Sequence, residues 1–235
     1  MQRFDTTIGS DYDIFNKVYP FTERLQKESV LFLKESLKWY WKRILEIWTW
    51  NWETTLQIIN HFQNSIIDTV DISEVMQKSA IEVLKYQKTS NKINFILEDI
   101  LQYIKKIPDG FYDWAVSCFT IHNIFQTERP ALYKELWRII KKWWIFVNWD
   151  KVIEDDVEKH KDDLQKCLDL YKKFTKDFNR PDLEKEWIEH YLRDDKDDLK
   201  LTKWIQEKML LDSWFGELQY SGRMLTEIIT SAKKL

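Results

Sequence analysis

The sequence predicts an α/β fold: a mostly parallel sheet flanked by helices, with a C-terminal antiparallel hairpin and a helical insertion. Three observations predict it. From residue 43 to 152, short apolar runs alternate with longer helical patterns, the signature of βαβ units. Residues 154–210 are charged and helical in character, and residues 215–234 hold two β-rich segments in succession. At 235 residues the chain is long enough for one such domain with a substantial core.

The elements follow in order. SDYDIFNKVYPFTERLQKESVLFLKESL reads as helix broken at Pro20, with Leu25, Val30, Leu31 and Leu33 apolar on the second piece. RILEI (43–47) is a short buried strand, and ETTLQIINHF (53–62) the helix after it. SIIDTVDI (65–72) is a strand, SEVMQKSAIEVLKYQ (73–87) a helix, and KINFILEDI (92–100) the third strand. After the turn PDG come the strand YDWAVSCF (112–119), the helix ERPALYKELWRIIK (128–141) and the strand WIFVNWDKV (144–152). Such strands, buried on both faces, are nearly all apolar. FGELQYSG and LTEIITSAKK close the chain as an edge hairpin.

Composition narrows the class. A net charge of -3 supplies no global attraction for nucleic acid, although a local basic patch is not excluded. The two cysteines, Cys118 and Cys167, suit a reducing, cytoplasmic setting and match no metal-ligand spacing, so no metal is expected. No apolar run approaches the ~18 residues that span a bilayer, and no membrane association is expected. One imbalance stands out: 4 glycines, against roughly 16 for a chain averaging about 7%, beside 13 tryptophans.

The tryptophans are in register with missing glycines. In an open parallel sheet, ligands bind at the carboxyl ends of the strands. There the chain carries EIWTWNW (46–52) after the first strand, Asp71 after the second, Glu98 and Asp99 after the third, and SCFTIHN (117–123) after the fourth. With glycine for tryptophan the first becomes EIGTGNG, which resembles the nucleotide loop of class I S-adenosylmethionine-dependent methyltransferases. WKRILEI, VDIS, YDWAVSCFTIHN, RIIKKWWIFVNWD and LLDSWFGEL extend the resemblance over most of the chain. Tryptophan stands at the family's glycine positions at 41, 48, 50, 52, 143, 144, 149 and 214, with Trp39 and Trp114 as further cases. Trp137, Trp187 and Trp204 fall in helices, where glycine costs about 1 kcal/mol, and are read as true tryptophans. The registration is read as UGA codons that the source decodes as glycine.

The resemblance implies a Rossmann-like seven-stranded sheet, S-adenosylmethionine as cofactor, and methyl transfer. It divides the chain into an N-terminal helical cap (1–40), a cofactor-binding domain (41–153 and 211–235) and a helical substrate cap (154–210). Positions 48, 50 and 52 form the tight turn against the cofactor, and Glu46 addresses its ammonium. Asp71, 19 residues beyond Trp52, suits the ribose hydroxyls. Asp99 faces the adenine amino group, with Ile72 and Ile100 beside these acids. Cys118 and Phe119 flank the sulfonium and adenosine. His122 and Asn123 are the catalytic candidates, and Tyr12 and Tyr19 are candidates for lining the substrate pocket.

The acceptor is not readable: a small molecule or an RNA-linked group both fit, as does any oligomeric state. Two other readings stay open, an NAD(P)-dependent oxidoreductase and a degenerate, non-catalytic methyltransferase-like binding protein. The former needs G-x-G-x-x-G, whereas here residue 53 is Glu and the glycine-like residue is 52.

Overall fold

A computed structural model describes residues 11–35, 42–47 and 52–235. Trp39, Trp41, Trp48 and Trp50 lie outside the described residues. Seven strands form one sheet: β1 (Arg43–Ile47), β2 (Ile66–Asp71), β3 (Lys92–Leu97), β4 (Trp114–Cys118), β5 (Ile145–Lys151), β6 (Phe215–Met224) and β7 (Glu227–Lys234). Their order is β3-β2-β1-β4-β5-β7-β6. β7 runs antiparallel to both neighbours, and the other pairings are parallel. The sheet is thus mostly parallel with a C-terminal antiparallel hairpin, as expected.

Side-chain alternation along the strands builds two cores. Ile44, Ile67, Val116 and Val147 point to one face, and their neighbours Leu45, Ala115 and Phe146 to the other. The first face packs against α2 (Thr22–Glu35), which contributes Leu25, Val30 and Leu33, and α3 (Glu53–His61), which contributes Ile58 and Ile59. α4 (Glu74–Leu84) adds Met76 and Ala80 to it, with Ser73 capping its start by accepting from the Met76 N–H. The opposite face packs against α5 (Ile100–Lys105), α6 (Arg129–Ile139) and α10 (Lys203–Asp212). Two-sided burial explains why strands β1 and β4 are almost uninterrupted apolar runs.

The inserted segment is helical: α7 (Val157–Tyr171), α8 (Lys173–Phe178) and α9 (Pro181–Arg193) precede α10. Its apolar stripe supplies Tyr171, Phe174, Trp187 and Tyr191 to an aromatic cluster completed by Phe15, in the middle of the N-terminal helix α1 (Tyr12–Val18), and Tyr19, just after it. Phe15 and Trp187 stack with centroids 4.1 Å apart. The expected boundary at 210 falls inside α10, which packs on α6 and β6 and so against the sheet.

One element departs from the sequence reading. β3 ends at Leu97, three residues before the end expected, and Asp99 instead caps α5 through the Gln102 N–H. Ile100 and Ile104, one helical turn apart, bury together and outweigh the β-propensity of the isoleucines.

Candidate active site

Strand order reverses at β1, which pairs β2 on one side and β4 on the other. Such a reversal leaves a crevice at the carboxyl ends of these strands, because the connecting helices leave on opposite faces. Glu46 is aligned there with Thr69 and Val116, and Asp71 with Leu97.

Glu46 is almost fully buried. Thr55 Oγ1 donates to its Oε2 at 2.6 Å, while Oε1 is buried with no hydrogen-bond partner among the described residues. Burial pushes its carboxyl up to about 8, against an ordinary 4.5. A cationic guest beside it would favour the ionised form and give Oε1 a partner. Asp71 is also buried and accepts from the Ser73 N–H at 2.7 Å.

A cleft of about 320 Å³ opens beyond these strand ends, lined by Ile72, Asp99, Ile100, Thr120, Asn123 and Phe125 among others. Asp99 reaches it because capping places its carboxylate at the α5 N-terminus. Glu98, the competing acid, pairs with Lys106 and is not among the residues lining the cleft. Ile72, Asp99, Ile100 and Asn123 therefore share one surface. Glu46, Asp71, Cys118 and Phe119 lie behind it, buried.

Cys118 ends β4, and burial pushes its thiol up to about 12, so it is an apolar wall and not a nucleophile. Phe119 turns left-handed at φ 54°, its N–H donating to the Trp149 carbonyl at 2.6 Å. That turn drives the chain into a 3₁₀ turn, Ile121–Asn123. There His122 is buried, its Nδ1 2.5 Å from Asp150 Oδ1 and its Nε2 3.1 Å from the Asn123 amide nitrogen. With Nδ1 carrying the proton toward Asp150, Nε2 accepts from Asn123. Tyr19 is buried in the aromatic cluster and hydrogen-bonds Glu227. Tyr12 begins α1, and its side chain lies outside the described residues.

Trp52 precedes α3 with φ 65°, Trp143 has φ 72° and Trp214 has φ 66°. Three of the five described tryptophans at expected glycine positions thus hold the left-handed conformation that favours glycine. Trp144 and Trp149 do not. Sequence reasoning missed Thr55, Asp150, Arg129, His190 and Asp194. Of these only Asp150 stood inside a quoted motif, and the rest act through contacts that no local pattern records.

Residues 54–146 match the family model described as "Methyltransferase domain". No curated protein matches the chain by sequence. Among solved structures, the CurJ carbon methyltransferase is similar at TM-score 0.63 and 15% identity, over 92% of this chain and 55% of that one. A methyltransferase from Thermotoga maritima, described as a possible histamine N-methyltransferase, is similar at TM-score 0.62 and 13% identity over 100% of both chains. The phosphoethanolamine N-methyltransferase 2 of Haemonchus contortus, solved with phosphomonomethylethanolamine and S-adenosylhomocysteine, is similar at TM-score 0.63 and 15% identity. It covers 93% of this chain and 45% of its own. This chain thus spans about half the length of two of these three. Residues 54–146 thus match a methyltransferase domain, and over most of its length the chain shares the fold of these solved methyltransferases.

Proposed function

We propose that the protein transfers a methyl group from S-adenosylmethionine to a small-molecule or RNA-linked acceptor. The observation that carries this reading is Glu46: a buried carboxyl with one oxygen unpartnered among the described residues, at the carboxyl end of β1, beside a cleft lined by Asp99. A cofactor with an ammonium at one end and an adenine at the other fits that pair. When bound, it supplies a sulfonium methyl already activated for in-line displacement.

The chain's own work is then placement and exclusion of water. Glu46 holds the ammonium, Asp71 the ribose hydroxyls and Asp99 the adenine amino group, while Ile72 and Ile100 supply apolar walls. Asn123 is a polar side chain lining the cleft that an acceptor can meet, and His122, behind it, fixes the amide. Residues 154–210 and the N-terminal helices form the cap that selects the acceptor.

Calorimetric titration with S-adenosylmethionine and S-adenosylhomocysteine tests this. Asp71→Ala is expected to weaken binding by ~1.5–3 kcal/mol through lost charge-assisted hydrogen bonds. Unchanged affinity in that variant moves the ribose contact elsewhere, and preferential binding of NAD overturns the assignment.

A further inference from the structure

Beneath Asn123 the helical insertion meets the sheet in a buried polar cluster, of which the proposed methyl transfer uses only His122. His190 and Asp194 lie four residues apart, so the end of α9 presents both on one side. Asp194 Oδ2 is 3.8 Å from His190 Nε2 and 3.7 Å from His122 Nε2. One ligand atom from each of the three residues lies within 4.8 Å of the others, and all three residues are buried. We propose that His122, His190 and Asp194 form a binding site for a borderline divalent cation of the zinc class, in a position bordering the cleft.

Two features favour a cation, and a third holds the ligands in place although its own positive charge, felt by Asp150 and Asp194, opposes one. The set of two imidazoles and one carboxylate suits zinc and its neighbours, and leaves a further coordination position for water or an acceptor oxygen. His122 is already oriented as a ligand: Asp150 accepts from Nδ1 and turns the Nε2 lone pair toward Asp194, the carboxylate–histidine arrangement that supports metal-bound imidazoles. The two sides of the site are also tied together. Arg129, fully buried, donates to the His122 carbonyl at 3.0 Å and to the Lys200 carbonyl at 3.2 Å, and also bonds the Leu199 carbonyl.

Ligand atoms with metal bonds of ~2.0–2.2 Å stand about 3.4 Å apart in a tetrahedral site, so the observed spacings close by small side-chain rotations. Two groups compete with the ion. Lys151 Nζ lies 3.9 Å from Asp194 Oδ2, and the Asn123 amide occupies the His122 lone pair. Turning that amide presents its oxygen as a fourth ligand, and because Asn123 also lines the cleft, it gives the ion a way in. No spacing in the sequence announces this site, since 68 residues separate His122 from His190.

The test uses the full chain, stripped with chelator and titrated with Co²⁺ as a spectroscopic probe, then with Zn²⁺. One Co²⁺ per chain is expected, with visible ligand-field bands that Zn²⁺ abolishes. His190→Gln and Asp194→Asn are each expected to weaken Co²⁺ binding at least ~100-fold, and Asp150→Asn, which only loosens His122, ~10–100-fold. Circular dichroism in chelator checks that each variant is folded. Absence of stoichiometric Co²⁺ binding by the unaltered chain overturns the proposal whatever the variants do. So does undiminished binding in folded His190→Gln. Neither result bears on cofactor binding, which is read separately with S-adenosylhomocysteine.

Discussion

At Trp143 and Trp214 the backbone is left-handed while the side chains are 61% and 60% exposed. An L-residue with a Cβ pays about 1–2 kcal/mol for that conformation, and little burial offsets it. Glycine removes the strain but adds freedom to the unfolded chain, worth about 0.4–1 kcal/mol. Trp214→Gly is therefore expected to stabilise by up to ~1 kcal/mol in urea titration. Each ring also gives up one contact on going to glycine, Trp214 against Trp137 at 5.3 Å between centroids and Trp143 beneath Lys142 Nζ at 4.4 Å, so Trp143→Gly should gain a similarly small amount. Trp149 behaves oppositely: buried in β5 and stacked on Phe119, it should cost about 3–5 kcal/mol when deleted. That difference bears on the native residues. Glycine at 149 empties the volume beside Phe119, at the carboxyl half of β5. Peptide mass spectrometry of protein from its source is expected to find glycine at 41, 48, 50, 52, 143, 144, 149 and 214, and tryptophan there sinks the codon reading.

Between elements, one buried arginine does much of the joining. Arg129 Nε donates to the Ile121 carbonyl at 3.1 Å, and its terminal nitrogens reach the carbonyls of His122, Leu199 and Lys200, tying the turn after β4 to the segment after α9. Arg129→Met keeps the apolar stem but strands several buried carbonyls, each costing about 1–3 kcal/mol. A loss of at least ~3 kcal/mol is expected in thermal or urea melts, and a loss under 1 kcal/mol shows that water replaces the guanidinium. This clamp marks the limit of what the sequence discloses. β1, β4 and β5 were legible because two-sided burial writes itself as apolar runs, and Asp71 because it closes such a run at a strand end, whereas Asp99 was picked out by the family resemblance alone. The end of β3 was not, since INFILEDIL continues apolar through a change of period from strand to helix. Nor was the meeting of His122 with Asp194, which depends on how a helical insertion folds back over the sheet and leaves no local trace.

For the whole molecule, the buried acids set an opposition between stability and binding. Glu46 titrates near 8 in the folded chain and near 4.5 when unfolded, so between these values the folded state holds a proton that the unfolded chain has lost. Its contribution is full below about pH 4.5 and is lost as pH rises toward 8, at up to ~1.4 kcal/mol per pH unit. Glu227, raised by burial as well, acts with the same sign. On the proposed reading cofactor binding runs the other way, because the ionised carboxylate would hold the ammonium. Affinity for S-adenosylmethionine should therefore climb between pH 6 and 8, with close to one proton released per bound molecule at the acid end. Glu46→Gln separates the two effects, since the amide keeps an oxygen for Thr55 and copies the protonated acid. The variant should match the parent near pH 5, melt higher at pH 8, and bind S-adenosylhomocysteine weakly with little dependence on pH. Melting curves with and without ligand, and calorimetry in buffers of different ionisation enthalpy, read both quantities. If parent and variant trace parallel melting curves across this range, Glu46 is not the titrating group, and the ammonium site must be sought elsewhere along the crevice.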